Sequence, residues 1–389
     1  MTNFYDLFRP DLQDRSLIPQ LELESETDFG LRNELFSIPA VFSQYELDEL
    51  EYISSFWSQI SKKIKYKLLN KDEQILTQFP ELVEFNDSQY SKFEVPPLMR
   101  LDTLIDELGN PKIIECNSQF PGNIGIDSIQ ALNYYNRNKK ASKVSTPLNS
   151  HIRFLEFLLS QEDSKLTFVE TPDNELALET EFLGSELEER GVNVSYRKSD
   201  EDLSDLSGLV VKRVIPRNSQ LERLVQTGNI TLINPSWSYF VGNKGLFPLL
   251  RNSDFIRNFE DKLLLGIEQY IPETLYLQDL PVDRLSEVIR DKNSYVVKYP
   301  DNYGGDGVFI GDEMSTEDWT NILNSSNTKK AVLQRRINAL TYQGDSFDIG
   351  VMMINGEFSN PWMRISKNGS LKTNMHGGGR SVACYKELE

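Results

Sequence analysis

Residues 296–310 read VVKYPDNYGGDGVFI. Gly304, Gly305 and Gly307 permit positive φ and expose successive backbone N–H groups as an anion nest, and Lys298 adds a fixed positive charge at its edge. The same run also suits a hairpin whose Asp306-Gly307 pair is a type I′ turn. Downstream, an apolar strand ends at Met363-Arg364, and KTNMHGGGRS (372–381) brings a second glycine cluster beside Asn374 and His376. Consecutive glycines imply either mobility or close approach to a ligand. With Lys298, Arg364 and Arg380 in one region, the balance moves towards a polyphosphate site.

Oxygen donors for a metal lie far upstream, in RLDTLIDELGNPKIIECN (100–117), which holds Asp102, Asp106, Glu115 and Asn117. Glu115 and Asn117 are two apart, so on a strand both point to one face, as coordination of a hard cation requires. Magnesium takes few carboxylates and completes its shell with phosphate oxygens, which suits this short set better than calcium. A solvated acidic strand is the alternative. The Gly109-Asn110-Pro111 turn between apolar runs predicts a β-hairpin that brings Asp102 alongside Glu115.

Around these two segments the chain changes character. Residues 1–40 show no sustained period and read as an irregular arm. From Ser43, a plausible cap, Leu47, Leu50, Ile53, Phe56, Ile60 and Ile64 recur at spacings of three and four, which predicts an amphipathic helix. A second amphipathic stretch is suggested in the seventies and eighties. Between 150 and 235, strand-like runs (KLTFVET, VNVSYR, GLVVKRV, ITLINP) alternate with helix-like ones (NELALETEFLGSELEERG, SQLERLVQTG), which predicts a small parallel sheet in a Rossmann-like lobe. That lobe lacks a GxGxxG turn, so nicotinamide and flavin have little support. From Asn243 onward, a helix near DFIRNFEDKLLLGIEQY, strands at SYVVKYP and AVLQRRI, and a hairpin at DIGVMMINGEFSNPWMRI predict α+β construction.

The 389 residues suffice for two or three lobes, and 39% apolar with 11% aromatic residues is ordinary for a folded chain. The formal charge of −18 argues against nucleic acid and anionic membranes as partners. Cys116 and Cys384 are too few for a disulfide framework or a thiolate zinc site, which suits a reducing cytoplasm, and both read as inert. The acidic start, MTNFYDLFRPDLQDR, is unlike a signal peptide, and no run is long enough to span a bilayer.

Taken in order, NKG (243–245), IPETL (271–275), VVKYP, GGDG, LQRRI, INGEFSNPWMR and TNMHGGG resemble, element by element, the ATP-binding half of glutathione synthetases in the ATP-grasp superfamily. In those synthetases a helix and a strand pair carrying Asp and Glu-x-Asn follow the glycine-rich loop. In this sequence the equivalents stand at the other end: a helix near 43–70, Arg100-x-Asp102, and Glu115-x-Asn117 with Pro121. That order resembles the synthetase domain of glutathionylspermidine synthases. The resemblance implies an α/β (α+β), circularly permuted ATP-grasp fold with a Rossmann-like pre-ATP-grasp lobe. Its parts would be 1–149 (arm, helices and metal-holding strand pair), 150–235 (the lobe) and 236–389 (the nucleotide-binding part).

Carried over by position, the resemblance implies that Lys244 and Lys298 contact the nucleotide, that Gly304, Gly305 and Gly307 cover its phosphates, and that Gln334 begins the adenine-side linker. Asp102, Glu115 and Asn117 would hold magnesium, two ions with ATP. Arg100 and Arg364 would lie near the transferring phosphate, and Asn374 with Gly377, Gly378 and Gly379 would close over the reacting centre. His376 is a candidate for orienting substrate, whereas His151 reads as structural. One departure stands out: the family has Asp-x-Arg where this chain has Asp348-Ile349-Gly350. A phosphate-binding arginine is thus absent or replaced, with Arg335 and Arg336 as candidates.

The implied activity is ATP-dependent carboxylate–amine ligation through an acyl phosphate, on small-molecule substrates, in the cytoplasm. One alternative charges an amino acid onto a carrier protein or peptide. Another is a nucleotide-binding regulator without turnover. A homodimer is the base-rate expectation for oligomeric state.

Overall fold

Ser43 sets the start of the longest helix. Its hydroxyl accepts the Glu46 N–H at 3.4 Å while the Glu46 carboxylate accepts the Ser43 N–H at 2.7 Å, a reciprocal capping box. Leu47, Leu50, Ile53, Phe56, Ile60 and Ile64 then bury one face, as their spacing predicts.

The computed structural model describes residues 4, 7–8, 35–80, 91–122, 124, 144–147, 150–161, 163, 165–172, 177–213, 219–300, 302, 305–325, 330–366 and 379–387. In chain order, β1 (Leu35–Phe42) leads into α1 (Gln44–Leu69), followed by β2 (Leu98–Ile105), β3 (Pro111–Asn117), β4 (Val144–Pro147) and α2 (Ser150–Leu159). Next come β5 (Lys165–Glu170), α3 (Ala177–Glu188), β6 (Asn193–Lys198), β7 (Gly208–Arg213), α4 (Ser219–Gln226) and β8 (Ile230–Ile233). After short helical turns come α5 (Asp261–Tyr270), β9 (Thr274–Tyr276), α6 (Val282–Arg290), β10 (Tyr295–Lys298), β11 (Val308–Ile310), α7 (Thr316–Asn324) and β12 (Val332–Arg335). The last strands are β13 (Thr341–Tyr342), β14 (Asp345–Ile354), β15 (Glu357–Ile365) and β16 (Arg380–Glu387).

Three sheets result. The largest runs β1-β16-β15-β14-β2-β3, with β13 beside β14 and β4 beside β16. The hairpin β2–β3 therefore docks antiparallel on β14, more than 240 residues downstream, with Asp102 opposite Gly350. One face of this sheet is apolar: Leu101, Ile349, Val351, Met363 and Ile365 join the cluster that buries Ile53, Phe56, Ile60 and Ile64 of α1. Because alternate residues point to opposite faces, the polar positions Arg100, Asp102, Asp348 and Arg364 share the other side.

The second sheet, β11-β10-β12-β9, is antiparallel and packs on α6 and α7 through Val297, Leu333, Val288 and Trp319. The third, β6-β5-β7-β8, is wholly parallel. Leu166 and Phe168 pack towards α2 and α3, while Val169 and Val210 pack towards α4, so both faces are covered.

Two sequence expectations need correction. Residues 1–40 are not all irregular: LFSIPAVF forms β1, parallel to β16. Pro39 had obscured it, yet β1 ends the ladder, where a missing N–H is tolerated, and the register shifts between Phe36 and Ala40 around that proline. The stretch 254–270 is not one helix, because Glu260 is extended (φ −66°, ψ 147°) and separates Ser253–Ile256 from α5. Of the amphipathic stretch in the seventies and eighties, Glu73–Gln78 is helical and 81–90 lie outside the described residues.

Candidate active site

The β2–β3 turn is built by Asp106, whose Oδ1 accepts the N–H groups of Leu108 at 3.0 Å and Asn110 at 2.8 Å. That carboxylate serves the turn, which removes Asp106 from the oxygen-rich set read in the sequence. The hairpin places Asp102 across from Glu115 and Arg100 across from Asn117. Between these pairs and the turn, Thr103 faces Ile113, so Ile114 is an extra residue, a β-bulge. Its carbonyl accepts from Lys298 Nζ at 2.9 Å, joining the large sheet to the antiparallel one.

Arginines and acids alternate along the polar face. Arg100 grips Asp102 with both Nε (2.6 Å to Oδ1) and Nη2 (3.1 Å to Oδ2), and Arg364 Nη2 reaches the same Oδ2 at 3.0 Å. Arg364 is held in turn by Asp348, with Nε 3.0 Å from Oδ1 and a second bond from Nη2 to Oδ2. Both guanidinium groups also lie over the Trp362 ring, at 4.7 and 4.8 Å from its centroid. Burial alone would raise the Asp102 pKa; the two arginines outweigh it and hold the carboxyl at about 2. For Arg364, burial works against the charge, but Asp348 and Asp102 lift its pKa above the ordinary arginine value.

Two lysines face this row. Lys244 Nζ lies 2.9 Å from Glu115 Oε1 and 2.7 Å from the Asn302 carbonyl. Its turn is fixed by Asn243 Oδ1, which accepts the Gly245 N–H at 2.8 Å, and by the Tyr276 hydroxyl, which donates to the Gly245 carbonyl at 2.7 Å. Lys298 Nζ donates to Gln334 Oε1 at 2.8 Å, and Gln334 Nε2 donates to Thr274 Oγ1 at 3.2 Å. Burial, reinforced by Lys244 and opposed by Glu115, pushes the Lys298 ammonium down to about 8.

These groups surround a cavity of about 340 Å³ between the two sheets. Arg100, Asp102, Glu115, Asn117, Lys298, Gln334 and Arg364 line it together with the apolar side chains of Leu104, Ile114, Val296, Val308, Ile310 and Ile337. Asn117 Nδ2 is buried with no hydrogen-bond partner, a cost that a bound ligand would relieve. Among the described residues no three His, Cys, Asp or Glu side chains gather as a self-sufficient metal cage. Glu115, partly exposed, and Asn117 beside it instead fit a cation that draws most of its shell from phosphate and water. Asp102 could join them only by exchanging an arginine.

The family described as prokaryotic glutathione synthetase, ATP-grasp domain, matches residues 261–387. This stretch is of ATP-grasp type. A solved structure from Methylobacillus flagellatus KT, provisionally named a gamma-glutamylcysteine synthetase, is similar over 85% of this chain and 88% of its own, at 12% identity and a TM-score of 0.46. Comparison with curated proteins finds no significant match.

The ATP-grasp stretch itself supplies Lys298, Gly305, Gln334 and Arg364, while Arg100, Asp102, Glu115 and Asn117 come from outside it, and all eight line one cavity, with Lys244 paired to Glu115 at its edge. Gly305 and Gly307 adopt φ of 84° and 69°, and Tyr299 N–H bonds the Gly307 carbonyl at 2.9 Å. Asp306 does not share the positive-φ region, so the type I′ alternative does not form. Gly379 is buried just before β16. Gly304, Asn374, His376, Gly377 and Gly378 lie outside the described residues.

At Gly350, where the resemblance implies an arginine, a Cβ would stand 2.9 Å from Arg100 Cδ and 2.9 Å from Trp362 Cε3. The Arg100 stem thus occupies the space beside Gly350. Arg335 and Arg336 line the cavity, but their ion pairs are with Asp291 (3.8 Å) and Asp312 (3.1 Å) on the smaller sheet's side. Asp348, Trp362 and the Ile114 carbonyl were missed as site members. A signal existed for Asp348: it is the one charge inside the otherwise apolar run FDIGVMMI. Of the groups expected to be inert, Cys116 and Cys384 are buried, and burial pushes the Cys116 thiol up. His151 sits on α2, where burial lowers its pKa.

Proposed function

We propose that this protein is an ATP-dependent ligase that joins a carboxylate to an amine through an acyl phosphate, with ADP and phosphate as the other products. The observation that carries this reading is the row Arg364–Asp102–Arg100, with Lys298 and Lys244 facing it, around a cavity that apolar side chains also line. An adenine ring suits those apolar side chains and a triphosphate suits the cations.

In this mechanism Lys298 and Lys244 bind phosphate oxygens, and the Gly305–Gly307 turn covers them with backbone N–H groups. Arg100 and Arg364, already aimed by Asp102, Asp348 and Trp362, stabilise charge as a substrate carboxylate oxygen attacks the γ-phosphorus and ADP departs. The amine then attacks the acyl carbon and inorganic phosphate leaves. Glu115, Asn117 and, after arginine exchange, Asp102 would hold magnesium, which when bound neutralises phosphate charge. Little covalent work falls to the protein, which accords with the lack of any expected nucleophile among the site residues.

We read the hairpin 100–117 as the metal-holding strand pair of a circularly permuted ATP-grasp fold, with parts at 1–149, 150–235 and 236–389. Small carboxylates and amines are the first candidates as substrates, and a carrier protein or peptide acceptor is the second. No helix among the described residues is long and apolar enough to cross a membrane, and a cytoplasmic setting is our proposal.

Trapping with hydroxylamine tests the activity. The protein with Mg-ATP and a panel of amino acids should release ADP and form an acyl hydroxamate. AMP as the product, or nucleotide binding without any turnover, would overturn the ligase reading and favour an adenylating enzyme or a regulator respectively.

A further inference from the structure

Glu115 and Asn117 sit where a sheet is weakest. Their strand, β3, is last in the order of the large sheet, and among the described residues it has a strand neighbour on one side only. The β2–β3 ladder ends on the pair Arg100 and Asn117, at the opposite end from the turn that Asp106 ties together. Strand ends open locally at little cost, whereas the groups of a working site must be held to within about 0.5 Å. β2 is supported by β14, which pairs with it as far as Leu98 opposite Ile354. The end of β3 needs another support.

Asn234, the first residue after β8, supplies it. Its side chain is fully buried, and its amide meets both strands of the hairpin. Oδ1 accepts the Leu98 N–H at 2.9 Å, while Nδ2 donates to the Leu98 carbonyl at 2.6 Å and to the Ser118 carbonyl at 2.8 Å. Leu98 lies two residues before Arg100, and Ser118 directly follows Asn117. One planar amide thus stands in for the next rung of the ladder. Asparagine fits because it offers an acceptor and two donors on a short stem; an ionised aspartate would have no donor for either carbonyl.

The residues that follow continue along β3. Ser118 Oγ donates to the Ser238 carbonyl at 2.5 Å, and Gln119 Nε2 donates to Ser238 Oγ at 2.5 Å. At Gly242 a Cβ would stand 2.4 Å from Ser118 Oγ and 3.1 Å from the Cys116 carbonyl, so the two chains run in close contact there. Lys244 then meets Glu115. Trp237, Phe240 and Val241 anchor this segment in the core cluster beside α1.

We infer that Asn234 is a positioning residue of the active site, holding the end of β3 so that Asn117 and Glu115 present their oxygens to magnesium. It acts through the backbone of Leu98 and Ser118 and does not itself line the cavity. This rests on the ligase reading, in which β3 holds the metal.

The test separates metal from nucleotide and needs no turnover. Full-length protein is titrated calorimetrically with a non-hydrolysable ATP analogue, once with EDTA and once with magnesium, and the ratio of the two affinities reads the metal site. Asn234→Ala should cut the gain from magnesium at least fivefold. Affinity without metal should stay within twofold of wild type, because β2 keeps its pairing with β14 and Arg100 stays in place. Gly242→Ala, which crowds Ser118 from another side, should reduce the same gain and decides the matter if Asn234→Ala does not fold. A folded variant with a magnesium gain like that of wild type would overturn the proposal. Equal losses with and without magnesium would overturn it too, since a merely structural role has that effect. Failure of the wild type to bind the analogue, or to bind it more tightly with magnesium, would strike at the ligase reading instead.

Discussion

Asp102 on β2 stands directly across from Glu115 on β3, yet the two carboxylates answer to different cations: Asp102 to Arg100 and Arg364, Glu115 to Lys244. This division gives each of two acids on one sheet face its own cationic partner. It also makes the site a set of exchangeable ion pairs in which phosphate can replace a carboxylate as the partner of each cation.

Removing one member should expose how tightly the set is coupled. Arg364→Met leaves Asp348 and Asp102 short of a buried partner, and breaking a buried pair from one side costs about 3–5 kcal/mol. Thermal unfolding should show this loss, and Arg364→Lys should recover only part of it, since an ammonium cannot reproduce the forked contacts.

Gly350 is a close steric contact of the arginine row. Gly350→Ala places a methyl 2.9 Å from Arg100 Cδ and Trp362 Cε3, so the Arg100 stem must move. An overpacked site of this kind loses about 1–3 kcal/mol. The KM for ATP should rise as Arg100 is displaced, which steady-state kinetics would read beside the melting curve.

Much of this was legible in the sequence. The helix from Ser43, the β2–β3 hairpin and the alternating strands of the parallel sheet follow from local periodicity and turn chemistry, which act over a few residues. Asp102 and Glu115 were found together because one turn joins them. Pairings across long separations were not legible: Arg364 with Asp102, Lys298 with the Ile114 carbonyl, and β1 with β16 depend on which strands become neighbours. The Ile114 bulge leaves no mark in composition, and Gly350 looked like a defect until the Arg100 stem was seen beside it.

pH should act through Lys298. Its folded value of about 8 lies below the ordinary 10.5, so between these values the unfolded chain holds a proton that the folded one has lost. This group therefore adds stability as pH rises through that window, while nucleotide affinity falls as the ammonium discharges. Titration of ATP by calorimetry between pH 7 and 9 should show weakening in the wild type and a flat profile in Lys298→Met.

The capping box gives a test confined to folding. Ser43→Ala should cost about 0.5–2 kcal/mol in denaturant unfolding, with no change in KM for ATP, because α1 packs on the apolar face of the sheet.

The central claim is that the hairpin from the first third and the ATP-grasp stretch from the last third form one nucleotide site. The double variant Asp102→Asn with Glu115→Gln, assayed for ADP release and acyl hydroxamate, tests it most directly. Both products should be lost while the protein still melts cooperatively; undiminished ADP release by the folded double variant would contradict a shared site.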